Sequence, residues 1–103
     1  MIKTVVLTGL LLLFQFGSGI CYDLKTGEAL FNDPSLGTNG KSCATCHPNG
    51  KGLEEAGEYN VEMLTEFMNF CIRDALKGQL LPHDDPRLAA MEKYVRTFYK
   101  PKK

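Results

Sequence analysis

Residues 43–47, Cys43-Ala44-Thr45-Cys46-His47, carry the side chains of this chain best suited to chemistry. Two thiols stand two residues apart, and an imidazole follows the second directly. Four chemistries use such a pattern. A zinc clip needs four ligands, and the Cys or His pair that would complete one is missing, since Cys21, Cys71 and His83 stand singly. A thioredoxin-like dithiol belongs to a strand–helix–strand unit, which this sequence lacks. A structural disulfide across so short a loop is strained. Covalent haem attachment has a geometric reason. The two-residue gap lets Cys43 and Cys46 reach vinyl groups on one porphyrin edge as thioethers, and His47 then lies under the iron as its axial ligand. The expected cofactor is one covalent haem c.

The rest of the chain must position that motif. No stretch alternates apolar and polar residues between turn markers, so a small all-α domain is expected. Three helical patterns stand out. The first covers residues 23–32, with Leu24, Leu30 and Phe31 apolar, and stops at Asp33-Pro34. The second covers residues 60–76, with Asn60 as its N-cap and Gly78 as the residue just past its end. Its apolar stripe is Val61, Leu64, Met68, Cys71 and Ala75. The third opens with Asp85 as N-cap and Pro86 in the first helical position, buries Leu88, Met91, Val95 and Phe98, and ends at Pro101. The cysteine motif falls in a Gly- and Asn-rich loop region over residues 37–57. Three short helices give a chain of this size too little core, and a large planar apolar cofactor would supply the remainder.

The first residues give an address. Lys3 precedes the apolar run VVLTGLLLLFQF, and Gly17-Ser18-Gly19 has the small-x-small form that signal peptidase accepts. A cleaved signal peptide over residues 1–19 is expected, leaving a monohaem domain over residues 20–103 in the periplasm or otherwise exported. The run is too short for a firm membrane span. Lipidation at Cys21 is a poor match, because Ser18 and Ile20 occupy positions where such signals carry Leu and a small residue. Formal charge is zero, from 12 basic and 12 acidic residues. That excludes the one-signed field of a nucleic-acid binder and suits transient docking to redox partner proteins. The tail from Lys100 to Lys103 is solvated charge.

With these residues in view, GEALFNDPSLGTNGKSCATCHPNGKGL resembles the start of a small bacterial class I-type cytochrome c. CIRDALKGQLLPHDDPRLAAMEKYV is similar to the closing half of the cytochrome domains of thiosulfate-oxidising proteins. The resemblance implies a monohaem electron carrier whose N- and C-terminal helices cross behind the haem, with Phe31 and Tyr94 meeting there. It also implies an alternative, a haem-thiolate subunit of a sulfur-compound oxidising system; a gas-binding haem module, which needs a weak or absent sixth ligand, is a further alternative.

These functions divide on the distal iron ligand, for which Met63, Met68, Met91, Cys71 and His83 are candidates. Met91 stands mid-helix on an apolar stripe, where Met is core filler. Met63 and Met68 lie on the middle helix, and only Met68 shares its stripe with Cys71. His83 sits in a polar turn. Cys71 matches a thiolate ligand in the resembling cytochromes, and a disulfide with Cys21 or a plain buried thiol is its alternative.

Overall fold

The computed structural model describes residues 19–101, with the side chains of residues 19–23 outside the description. The expected signal peptide therefore falls outside the described residues, apart from Gly19, and so does the side chain of Cys21. Helix α1 spans Gly19–Phe31, α2 is a single turn over Cys43–Cys46, α3 spans Val61–Phe70, and α4 spans Pro86–Arg96. Short 3-10 turns cover Pro34–Leu36, Pro48–Gly50 and Ala56–Glu58. The described residues contain no strand, as the sequence pattern predicted. Among them, no helix is long and apolar enough to cross a membrane.

Helices α1 and α4 cross at Gly27, where a Cβ would stand 2.2 Å from the Ala90 carbonyl oxygen and 2.8 Å from the Tyr94 Cβ. Only a residue without a side chain lets the two backbones approach so closely. Beside the crossing, Phe31 meets Tyr94 edge-on at 5.4 Å between ring centroids, and Phe98 closes the group at 5.6 Å from Phe31 and 5.1 Å from Tyr94. Aromatic pairs of this geometry contribute about 0.5–1.5 kcal/mol each beyond their buried area.

The remaining helices start where their caps dictate. Asn60 accepts the Met63 N–H at 2.8 Å and begins α3; Asp85 accepts the Arg87 N–H at 2.9 Å and begins α4 behind Pro86. The end of α3 differs from expectation. At Cys71 the helix widens into a π-helical turn, Cys71–Ala75, in which the Leu76 N–H donates to the Cys71 carbonyl at 3.0 Å. The left-handed residue past its end is Lys77, with φ of 59°, whereas Gly78 donates its N–H to the Ile72 carbonyl at 2.7 Å. Gly78 is needed for a different reason: a Cβ there would lie 2.3 Å from the Leu36 carbonyl oxygen.

Loop 37–39 is strapped across this end of α3. The Thr38 N–H donates to the Leu76 carbonyl at 2.9 Å, the Thr38 hydroxyl to the Lys77 carbonyl at 2.7 Å, and the Asn39 amide to the Ala75 carbonyl at 2.8 Å. On the other side of α3, buried Asn69 grips Leu81 in both directions, each bond 2.9 Å. Arg96 pairs with Glu92 and donates to the carbonyls of Gly57 and Tyr59, fastening α4 to the loop before α3.

Two small core clusters result. One holds Phe31, Ala56, Leu64 and Val95; the other holds Ile72, Leu76, Leu88 and Met91. Cys43 and Met68 pack against both. Of the predicted stripe, Leu64 is buried and Met68 half-buried, but Val61 points outward at 56% exposure, and Cys71 and Ala75, on the widened turn, are exposed as well. Leu24 of α1 is likewise exposed.

Candidate functional site

The cysteine motif is a turn of helix rather than part of an open loop. Ser42 precedes it in extended backbone, and the Thr45 hydroxyl accepts the Ser42 N–H at 2.9 Å. The His47 N–H then donates to the Cys43 carbonyl at 2.9 Å. Helical winding brings residues three and four apart to one face, so Cys43, Cys46 and His47 are presented together. After His47 the chain turns sharply through Asn49, Gly50 and Gly52, all with positive φ. A Cβ on Gly50 would overlap the Phe98 ring at 2.2 Å, so this glycine lets the motif rest on the aromatic group of the helix crossing.

The turn also fixes the imidazole. His47 Nδ1 lies 2.8 Å from the Lys51 carbonyl oxygen. A carbonyl only accepts, so Nδ1 carries the proton in the neutral ring and Nε2 keeps its lone pair for a metal. This is the outer support that metal-ligating histidines ordinarily have.

Cys43, Cys46 and His47 line one apolar cleft with Phe67, Met68 and Cys71; its floor comes from both core clusters. The cleft is open at its mouth, and its cavity volume of about 110 Å³ is below the about 300–1,000 Å³ typical of cofactor sites. Three thiols thus share one cleft, and they influence one another. Burial pushes the Cys43 thiol up to about 11, with the neighbouring Cys71 and Cys46 sulfurs adding to the rise. Burial likewise raises Cys71, followed by Cys46 and Asp74.

Of the five residues considered for the distal position, Met68, Cys71 and Met91 line the cleft. Met91 is 2% exposed and locked in the second core cluster. Met63 faces solvent at 43% exposure, and His83 sits exposed in the turn before α4. Among the described residues Cys71 has a free thiol, and the side chain of Cys21, its alternative disulfide partner, lies outside the description. Among the described residues no three His, Cys, Asp or Glu side chains gather as a metal-ion site. A haem iron takes four ligands from its porphyrin, so such a gathering is not what its site requires.

Sequence reading missed several contributors. Leu53, Phe67, Ile72 and Leu76 line the cleft, yet none lies on a predicted apolar stripe. Asn69, which ties Leu81 to α3, reads as an ordinary polar helix position. Chemically, the arrangement can bind a vinyl-bearing apolar cofactor through two sulfurs and ligate its metal through one imidazole nitrogen. No family model, curated protein or solved structure matches the chain.

Proposed function

We propose that the chain is an exported c-type cytochrome that carries electrons through one covalently bound haem. The observation that carries this reading is the shared apolar cleft of Cys43, Cys46 and His47, with the histidine Nδ1 held by the Lys51 carbonyl. These residues fit the group: two sulfurs to tether it, one free imidazole nitrogen for the iron, and apolar walls for the macrocycle. When bound, haem supplies a one-electron iron couple. The chain's part is to hold the imidazole in one tautomer, exclude water with Leu53, Leu64 and Ile72, and offer a second ligand. Burial and outer hydrogen bonding set the potential of such a centre.

Met68 and Cys71 both line the cleft, and each supports a different use of it. A Met68 thioether would suit a simple carrier. Cys71 stands at the head of a π-helical turn, a feature often found at functional sites, and supports the second reading, a haem-thiolate subunit in sulfur-compound oxidation. Burial raises the Cys71 thiol and favours its protonated form in the unloaded chain, and ligation of a metal by this sulfur would release that proton. No observation favours the gas-binding reading.

The test is the electron paramagnetic resonance spectrum of oxidised protein produced with haem-attachment machinery, beside Met68→Ala and Cys71→Ala variants. The carrier reading expects low-spin iron that becomes high-spin only in Met68→Ala, and a reversible one-electron wave in voltammetry. A thiolate-type signal lost in Cys71→Ala moves the sulfur reading ahead. A protein that takes up no haem overturns both.

A further inference from the structure

The outward face of α3 is unusual for a surface helix. Met63, Phe67 and Phe70 are 43%, 44% and 43% exposed. Their spacing of four and three residues lines them up as one stripe on the side opposite buried Leu64 and Thr65. Tyr59 extends the stripe through an edge contact with Phe67 at 5.2 Å. Phe67 also reaches the cleft, so the stripe begins at its mouth. Met63 and Phe70 do not line the cleft. Exposed apolar patches of this kind mark interaction sites, and Met and aromatic side chains are enriched at the centres of interfaces.

The charge around the stripe says what fits it. From residue 52 to residue 72 the chain carries Glu54, Glu55, Glu58, Glu62 and Glu66 and no Lys, Arg or His. Glu62 and Glu66 stand one turn apart beside the stripe. Among the described residues no ion pair neutralises Glu58, Glu62 or Glu66. The one cation at the edge, Arg73, lies over the Phe70 ring at 5.1 Å and is already paired with Asp74 at 2.7 Å. The nearest positive charges reach only the edge of this run: Arg96 donates to the carbonyls of Gly57 and Tyr59 and pairs with Glu92, and Lys100 lies near Glu54. A chain of zero formal charge therefore has an acidic face at the cleft mouth. Pairing this face with its own copy would set like charges against each other, and an anionic membrane would repel it.

We infer that the α3 face is the docking surface for a protein partner whose own docking surface is an apolar centre ringed by Lys and Arg. The inference rests on the electron-carrier reading for the partner's redox role, but the face itself is a property of the chain. The glutamates would steer the encounter over distances set by salt, and the stripe would hold the complex at short range.

The test maps backbone amide shifts of the haem-loaded protein by nuclear magnetic resonance. Two probes are compared: tris(phenanthroline)cobalt(III), a trivalent cation with aromatic ligands, and hexacyanocobaltate(III), a trivalent anion. The expected result is a saturable shift of amides 59–70 with the cation only, weakened about tenfold by Glu62→Gln/Glu66→Gln and by high salt. Phe70→Ala should weaken this probe while leaving binding of hexaamminecobalt(III), which lacks aromatic ligands, unchanged. Shifts that map elsewhere, or that survive the glutamine substitutions, overturn the inference. So do shifts of the same amides with protein concentration alone, or with anionic lipid vesicles. Haem loading is read separately from the visible spectrum: its failure defeats the carrier reading, and the same shift map, recorded on the unloaded full chain, then judges the face.

Discussion

At the scale of single residues, the three cleft cysteines are chemically unequal. Cys46 is exposed, whereas Cys43 is half-buried with its thiol raised from 9.0 to about 11. A rise of that size leaves about a hundredfold less thiolate at a given pH, and thiolate is the reactive form. In the chain before attachment, iodoacetamide should therefore label Cys46 at least about tenfold faster than Cys43 at about pH 8, as read by peptide mass analysis. Equal rates would mean that Cys43 is not buried against the two cores. The raised thiol also makes stability depend on pH. The folded state keeps the Cys43 proton where the unfolded state has lost it, so the contribution is complete below pH 9.0 and is lost as pH rises through about 11. Urea melts of the unattached chain should weaken across that window, and Cys43→Ala should flatten the decline. The attachment residues were legible in the sequence because their chemistry demands a fixed spacing. The lysine that orients His47 was not, since it acts through its carbonyl, which every residue possesses.

At the scale of elements, the architecture depends on close approaches that composition does not announce. Gly27→Ala would place a methyl group 2.2 Å from the Ala90 carbonyl oxygen and should separate α1 from α4. Overpacking of this kind costs about 1–3 kcal/mol, or roughly 4–8 °C in melting temperature per kcal/mol for a domain of this size. Gly40→Ala is the control: nothing lies within 4 Å of its would-be Cβ, and only its φ of +79° is strained. A Gly27→Ala variant no less stable than Gly40→Ala would contradict the crossing. Asn69→Ala should cost about 1–3 kcal/mol, because the Leu81 N–H and carbonyl lose their partner in a half-buried loop. Hydrogen exchange should then accelerate at Leu81 before it does within α3. The three long helices, the caps Asn60 and Asp85, and Pro86 were all legible, since they rest on local patterns. The widening of α3 at Cys71 was not: it arises where loop 37–39 takes over the carbonyls of Ala75, Leu76 and Lys77. The left-handed residue was also misplaced by one, at Lys77 instead of Gly78, because tertiary contact with Leu36 sets where the glycine is needed.

At the scale of the whole molecule, two clusters of four buried residues flank a cleft that both help to line. Such a chain has a divided core, and a planar apolar group bound between the clusters would join them. Protein with Cys43→Ala/Cys46→Ala, which lacks the two attachment thiols, should melt roughly 10 °C or more below the matured protein, on the scale of about 4–8 °C per kcal/mol. The proposed docking face belongs to this scale too, since a neutral total charge conceals the acidic run from residue 52 to residue 72. The measurement that bears most directly on the whole account is the intact mass, under denaturing conditions, of protein produced with haem-attachment machinery. The prediction is a gain of one haem that survives denaturation and acid extraction, and that is absent from Cys43→Ala/Cys46→Ala. A chain that leaves the same machinery without that gain, with the Cys43 and Cys46 thiols still open to alkylation, would contradict it.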